Sequence, residues 1–390
     1  MKIEAVDFFY LTLPCVRDIG DGSQDALLVR VRSGDHVGWS ECEASPLVSI
    51  ASWNCPMSHS ACKPLSASIL GQTLDSPEDI RRIHATVRAN SFDLLQTDHT
   101  LSGIDVALWD LLGRRLEQPV YQLLGFPKAY PKVAYASQLF GDDPQATFRA
   151  ARSVVGTGFR AAKFGWGPYG HGTVTQDEEH VRAAREGLGP DIALMVDAGT
   201  VWGEDVEAAA ARLPALEAVN TVWLEEPFAS GALSAYKSLS RRCKNVRLAA
   251  GEGCHDLFQA RNMLEHAGLG FLQIDAGRIG GLTPATEAAH HADRCGVQFV
   301  NHTFTTSLAL SASIQPYAGL PTHLYCEFPF APSPLGLELT GARLLPDARG
   351  EVHLPERPGL GLEPDPAAIA KYAVDYRIEV AGRTLMTSPT

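Results

Sequence analysis

Short apolar runs and amphipathic stretches alternate along the last two thirds of this chain. From about Lys132 the apolar runs are Val133–Ser137, Ala161–Phe164, Ile192–Val196, Thr221–Leu224, Val246–Ala250, Phe271–Ile274, Gln298–Val300 and His323–Cys326. Between them, segments such as Gln176–Glu186, Asp205–Leu216 and Thr283–Arg294 carry apolar residues at helical period. Short continuous apolar runs suit strands buried on both faces of a parallel sheet. Strand and helix alternating eight times predicts an α/β fold, a (β/α)8 barrel. A doubly wound sheet would alternate in the same way, but no G-x-G-x-x-G follows any of the strands and eight repeats would overfill it.

Upstream the rhythm differs. Ala26–Arg32 reads as extended, Gly34-Asp35 as a turn and His36–Glu41 as the returning strand of a hairpin. Ser76-Pro77-Glu78-Asp79 opens a helix, with a capping serine, proline at the first helical position and acids in the first turn. Leu101–Leu116 keeps helical period through Ile104, Leu108, Leu111 and Leu112. Residues 1–130 are therefore expected to form an α+β module and residues 131–327 the barrel. The segment 328–390 has Pro and Gly turns, an extended stretch at Gly350–Leu354 and a helix from near Pro366, and is expected to return to the first module.

Composition narrows the function classes. The 390 residues are 45% hydrophobic and 20% charged, which is ordinary for a globular chain. A net charge of −12 with no basic run argues against nucleic acid as a partner. Met1-Lys2-Ile3-Glu4 opens no signal peptide, and Asp105 and Asp110 cut the stretch Ile104–Leu112 far short of a membrane span. The eight cysteines contain no C-x-x-C pair, and Cys55, His59 and Cys62 fit no structural zinc spacing. Reduced thiols in a cytoplasmic protein are expected.

Charge at the strand ends carries the chemistry. Barrel active sites form at the carboxyl ends of the strands. Lys163, Asp197, Glu225 (with Glu226), Glu252, Asp275, His302 and Glu327 stand at or just past seven consecutive runs. A charge directly after an apolar run is costly unless partnered, so seven of them, one per barrel unit, point to a site. Asp197, Glu225 and Glu252 come from neighbouring strands, and like charges so close stay ionised only beside a cation. An all-oxygen set suits Mg²⁺. Asp275 and His302 follow on the next two strands, where a carboxylate fixes the imidazole tautomer and raises its basicity.

These residues resemble the enolase superfamily, in its mandelate racemase-like branch (the mandelate racemase/muconate lactonizing enzyme family), over nearly the whole chain. The resemblance rests on Ser102-Gly103-Ile104-Asp105-Val106-Ala107-Leu108-Trp109-Asp110, Val196-Asp197-Ala198, Leu224-Glu225-Glu226-Pro227, Gly251-Glu252, Asp275-Ala276-Gly277-Arg278-Ile279-Gly280-Gly281 and Asn301-His302, in the family's order. It implies a capping α+β domain, completed by the C-terminal tail, over a Mg²⁺-binding barrel. It also implies removal of a proton α to a substrate carboxylate, with Asp197, Glu225 and Glu252 as metal ligands. His302 would be the base, Asp275 its orienter, and Glu327 a hydrogen-bonding partner of the substrate carboxylate.

On the second barrel strand the sequence departs from the family. Lys163 matches the first lysine of the family's Lys-x-Lys, and Gly165 stands where the second, a proton-transfer base, belongs. A racemase needs bases on both faces of the α-carbon. Muconate-lactonising relatives want a lysine where Arg278 stands, and arginine is a poor base. A one-base site suits β-elimination of water, as in the acid-sugar dehydratases of this branch. The expectation is a Mg²⁺-dependent lyase acting on a small carboxylate, a sugar acid, and forming a homo-oligomer. An epimerase or cycloisomerase is the alternative, and a metabolite-binding barrel without turnover is a second. The cap loops Cys15–Asp25 and Ala44–Cys62 are expected to select substrate, together with Trp166, Tyr169 and His171 after the second strand.

Overall fold

The computed structural model describes residues 1–42 and 45–389. Strands β1 (Ala5–Thr12), β2 (Asp25–Ser33) and β3 (His36–Cys42) form an antiparallel sheet in the order β1-β2-β3. The β2–β3 hairpin turns through Gly34 at φ +56°. Against this sheet lies the helix Thr97–Arg115, buried from Thr100 to Gly113. It begins four residues before the predicted Leu101, and it has no solvent face because sheet and barrel cover opposite sides. The close approach requires glycine: a Cβ at Gly38 would lie 2.1 Å from the Ala107 carbonyl oxygen. The helix Pro77–Asn90 opens as predicted, the Asp79 carboxylate accepting the Ser76 N–H at 3.1 Å.

Eight parallel strands form the barrel: β4 (Lys132–Leu139), β5 (Ala161–Gly165), β6 (Ala193–Asp197), β7 (Thr221–Glu225), β8 (Arg247–Ala250), β9 (Phe271–Ile274), β10 (Gln298–Asn301) and β11 (Tyr325–Pro329). Hydrogen-bonded neighbours run β10-β9-β8-β7-β6-β5-β4-β11. Among the described residues no ladder pairs β10 with β11, and side chains close that seam. Asn301 Oδ1 accepts the Glu327 N–H at 2.9 Å, and His323 Nδ1 accepts the Phe299 N–H at 2.8 Å. This explains a shift in register: the predicted run His323–Cys326 becomes Tyr325–Pro329, because His323 caps the seam before the strand starts. The predicted helix Asp205–Leu216 is two helices, Val206–Ala210 and Leu213–Ala218, with Pro214 in the first turn of the second.

Below the strand ends a layer of side chains fills the barrel. Tyr135, Met195, Trp223, Phe271 and Val300 interdigitate with the small Ala161 and Ala249. Trp223 lies 4.7 Å from Phe271 and edge-on to Tyr135 at 5.3 Å, between ring centroids. The strand ends above this layer therefore stand on a packed floor and not over a pore.

The tail returns to the cap as expected. Short β12 (Glu351–Val352) pairs antiparallel with β4, the helix Pro366–Tyr372 follows, and Val374 N–H donates to the Tyr10 carbonyl at 2.8 Å. A hairpin of β13 (Arg377–Val380) and β14 (Arg383–Thr387) ends the described chain. Among the described residues no helix is long and apolar enough to cross a membrane.

Candidate active site

The charged strand ends converge on one cavity of about 360 Å³, lined by Lys163, Asp197, Glu252, Arg278, His302 and Glu327 among others. In-register pairing sets their heights: Ser137 opposes Lys163, Gly165 opposes Asp197, and Asp197 opposes Glu225. Lys163 lies deep, with Nζ 2.5 Å from Glu225 Oε1, 2.8 Å from Glu327 Oε1 and 3.7 Å from Asp197 Oδ2. Burial works against its charge, but Glu225 and Glu327 outweigh it and hold the ammonium well above its ordinary pKa.

Each acid is fixed by a second partner. The indole N–H of Trp223 donates to Glu225 Oε2 at 2.9 Å, so the floor of the barrel orients this carboxylate. Glu327 accepts from the Ser137 hydroxyl at 2.9 Å and from the Thr303 N–H at 3.0 Å. Asp197 Oδ1 accepts the Gly199 N–H at 2.8 Å.

The imidazole of His302 faces the same space from β10. Its Nδ1 lies 2.7 Å from Asp275 Oδ2, while Nε2 is 3.2 Å from Glu252 Oε2 and 3.9 Å from Glu327 Oε2. Burial lowers its proton affinity, yet Glu252, Glu327 and the Asp275 hydrogen bond together raise the pKa well above that of a free imidazole. Burial opposes ionisation of Asp275, but the His302 hydrogen bond and Arg278 bring its pKa below the usual carboxylate value. Arg278 reaches Glu252 at 3.2 Å and Asp275 at 3.6 Å.

The acids bear on a metal. Burial, against the opposing pull of Lys163, raises the pKa of Asp197 to about 6 and of Glu225 to about 8, with neighbouring acids adding to the rise. Glu226 Oε1 is buried without a hydrogen-bond partner among the described residues. The oxygens of Asp197, Glu225 and Glu252 do not all lie within 4.8 Å of one another, because Lys163 draws in the first two and His302 with Arg278 draws the third. The donor set, the buried Asp197 and Glu225 that burial and neighbouring acids disfavour as anions, with the partly exposed Glu252 that His302 and Arg278 bring below its ordinary pKa against burial, fits a hard divalent cation after side-chain rotation. Among the described residues one His/Asp/Glu group does meet that spacing, the partly exposed Asp347, Glu351 and His353. Those carboxylates are already engaged, Asp347 by the backbone N–H groups of Arg349 and Glu351, and Glu351 by the Arg349 guanidinium.

Of the three residues expected to contact substrate after β5, one lines the cavity. Trp166 holds a left-handed backbone, φ +57°, and its ring lies between Gly20 of the cap and Gly199 of the barrel, where a Cβ at either would come within 3.0 Å of the ring. The other two are corrected. Tyr169 is buried, stacked on Phe140 at 5.0 Å and edge-on to Trp202, and His171 is exposed at the surface; neither lines the cavity. Aromatic packing around Phe140 and Trp202 draws the Tyr169 ring away from the mouth, and its buried hydroxyl has no hydrogen-bond partner among the described residues. From the cap, Ile19, Gly20, Asp21 and Gly22 contribute to the wall, and none of residues 45–62 does. Ala44 of that second loop falls outside the described residues.

Sequence reasoning missed Ser137, Gln138, Leu139 and Phe304 in the lining and Trp223 beneath it. Ser137 was visible as the polar end of the first barrel run. Trp223 carried no signal beyond being apolar.

Two family models match the chain: Enolase C-terminal domain-like over residues 146–368, and Mandelate racemase / muconate lactonizing enzyme, N-terminal domain, over residues 18–125. The N-succinyl-L-Arg/Lys racemase of Bacillus cereus is 27% identical, covering 93% of this chain and 95% of that protein. The 3,6-anhydro-alpha-L-galactonate cycloisomerase of Streptomyces coelicolor is 30% identical over 70% and 72%, and the D-gluconate dehydratase of Thermoproteus tenax is 28% identical over 70% and 56%. A crystal structure from Rhodobacter sphaeroides described as a predicted mandelate racemase superposes with a TM-score of 0.96 at 55% identity, covering 100% of both chains. Strand order, site architecture and both family models agree: this protein is an enzyme of the enolase superfamily, in its mandelate racemase/muconate lactonizing enzyme branch.

Proposed function

We propose that this enzyme removes the proton α to the carboxylate of a sugar acid and eliminates water from the adjacent carbon. One observation carries the reading: an oriented imidazole stands on one side of the cavity, and a glycine occupies the inward position on the other. His302 is held by Asp275 at 2.7 Å, whereas a Cβ at Gly165 would already lie 2.7 Å from the Asp197 Cβ. No second base fits there.

Asp197, Glu225 and Glu252 would hold Mg²⁺, which supplies the positive charge that a deprotonated carboxylic acid requires. Lys163 and Glu327, locked together at 2.8 Å, receive the substrate carboxylate by ion pair and by shared hydrogen bond. Neutral His302 accepts the α-proton at Nε2, with Asp275 holding Nδ1–H and stabilising the imidazolium that results. The imidazolium then returns its proton to the departing hydroxide on the same face. One C–H and one C–O bond break, water leaves, and the enol becomes a 2-keto acid. Neutralising Glu252 removes the largest attraction raising the His302 pKa, which brings the imidazole toward a basic, unprotonated form.

The Thermoproteus tenax likeness, a D-gluconate dehydratase by name, supports this reaction type. Isomerisation is the second reading, favoured by the Bacillus cereus racemase likeness over 93% of the chain. Incubating the enzyme with Mg²⁺ and a panel of sugar acids in D₂O separates them. Deuterium exchange at the α-carbon with 2-keto acid formation is the expected outcome. Exchange with inversion and no loss of water would replace the lyase by an epimerase, and binding without exchange would overturn both.

A further inference from the structure

The lining divides by charge. Its cations all stand at the strand ends and face acids: Lys163 is 2.5 Å from Glu225, Arg278 3.2 Å from Glu252, and His302 2.7 Å from Asp275. The remaining wall is Ile19, Asp21, Gln138, Leu139, Trp166 and Phe304, with small residues between. Asp21 is its one ionisable group among the described residues, and it is an acid. The N–H and the hydroxyl of Ser23 hold Asp21 Oδ1 at 2.9 and 2.6 Å, so this carboxylate has a set position at the mouth. Gln138 Nε2 is buried with no hydrogen-bond partner among the described residues.

We propose that the site selects monocarboxylate sugar acids and rejects the matching diacids, with Asp21 accepting a hydroxyl and Gln138 donating to one. The inference rests on the sugar-acid reading above and adds the substrate class. A substrate whose carboxylate meets Lys163 directs its far end at Ile19, Trp166, Phe304 and Asp21. A primary alcohol there finds an acceptor. A second carboxylate finds an apolar wall and a like charge, and no cation among the described residues of that wall. A charge placed beside a like charge with no cation to pair it is rejected more strongly than a missing contact is.

Matched pairs that differ only by oxidation of the terminal CH₂OH test this: D-gluconate with D-glucarate, and D-galactonate with D-galactarate. Dissociation constants are measured by calorimetry with the Mg²⁺-loaded enzyme, so turnover is not needed. The diacid of at least one pair is expected to bind about 100-fold more weakly than its monoacid. In Asp21→Asn, with an unchanged melting temperature, that gap should shrink about tenfold. Equal or tighter binding of the diacids, no binding by either series, or an unchanged gap in folded Asp21→Asn overturns the inference. The wild-type comparison decides it if the variant does not fold. Deuterium exchange reports separately on proton abstraction: exchange with a preference for diacids would sink the selectivity alone, and a monoacid preference without exchange would sink the reaction alone.

Discussion

The β5 and β10 sides of the cavity are equally buried and equally ionic, yet built for different tasks. On the β10 side, His302 sits between Asp275 and Glu252 at 2.7 and 3.2 Å, a group able to gain and lose a proton. On the β5 side, Lys163 is clamped by Glu225 and Glu327, and the next inward position is Gly165. The clamp favours the charged ammonium, which suits it to binding. Each group meets three carboxylates within 4 Å, and what separates the two designs is that Asp275 engages Nδ1 of His302 and leaves Nε2 to the cavity, whereas every contact of Lys163 falls on its single nitrogen.

Removing the imidazole gives the largest expected effect. His302→Asn should lower α-proton exchange by about 10⁴-fold while Mg²⁺ binding stays intact. Equal loss from Lys163→Met in exchange rate at saturating substrate, with no rise in KM, would show that the β5 side also transfers protons. Asp275→Asn should cost about 10²–10³-fold in kcat with KM little changed, because the wrong tautomer of His302 is then favoured.

Gly165→Ala sharpens the contrast from the other side. Its added methyl meets Asp197 at 2.7 Å, so the Mg²⁺ concentration for half-maximal activity should rise about tenfold while His302 is untouched. Unchanged metal dependence would show that Asp197 is not held by this contact.

The smallest effect lies outside both sides and is on stability. Asp105 is fully buried and accepts from Thr283 N–H at 3.0 Å and its hydroxyl at 2.6 Å, tying the long cap helix to the first turn of the helix Leu282–Arg294 that follows β9. Burial raises its pKa to about 7, partly countered by those hydrogen bonds. The folded protein thus keeps a proton that the unfolded chain releases above pH 3.8, and this group's contribution to stability falls as pH climbs from about 4 to about 7. Asp105→Asn should flatten that part of the melting-temperature profile by a few degrees, and an unaltered profile would place the titration elsewhere.

Much of the barrel was legible because its strands are buried on both faces and leave unbroken apolar runs. Asp197, Glu225, Glu252, Asp275 and His302 were legible for a related reason, since charge interrupts those runs only where the fold needs it. Tyr169 was misread because an aromatic ring with a hydroxyl looks alike in sequence whether it faces solvent or packs on Phe140. The break at Pro214 and the late start of β11 depend on a helix bend and a histidine cap that hydrophobic period does not encode. Asp21 fell within the cap loop Cys15–Asp25 expected to select substrate but did not stand out in it, and Gln138 gave no signal, because the two acquire meaning only when the cap loop and β4 meet across the mouth.

The joint between β10 and β11 has a consequence for how the site is held. Amide ladders lock seven of the eight junctions between staves, while the last is held by the carboxamide of Asn301 and the ring of His323. His302 follows directly on one side of this joint and Glu327 lies on the other. The wheel is therefore hooped by amide ladders everywhere among the described strands except between its proton acceptor and its carboxylate clasp, whose separation rests on two side-chain hydrogen bonds.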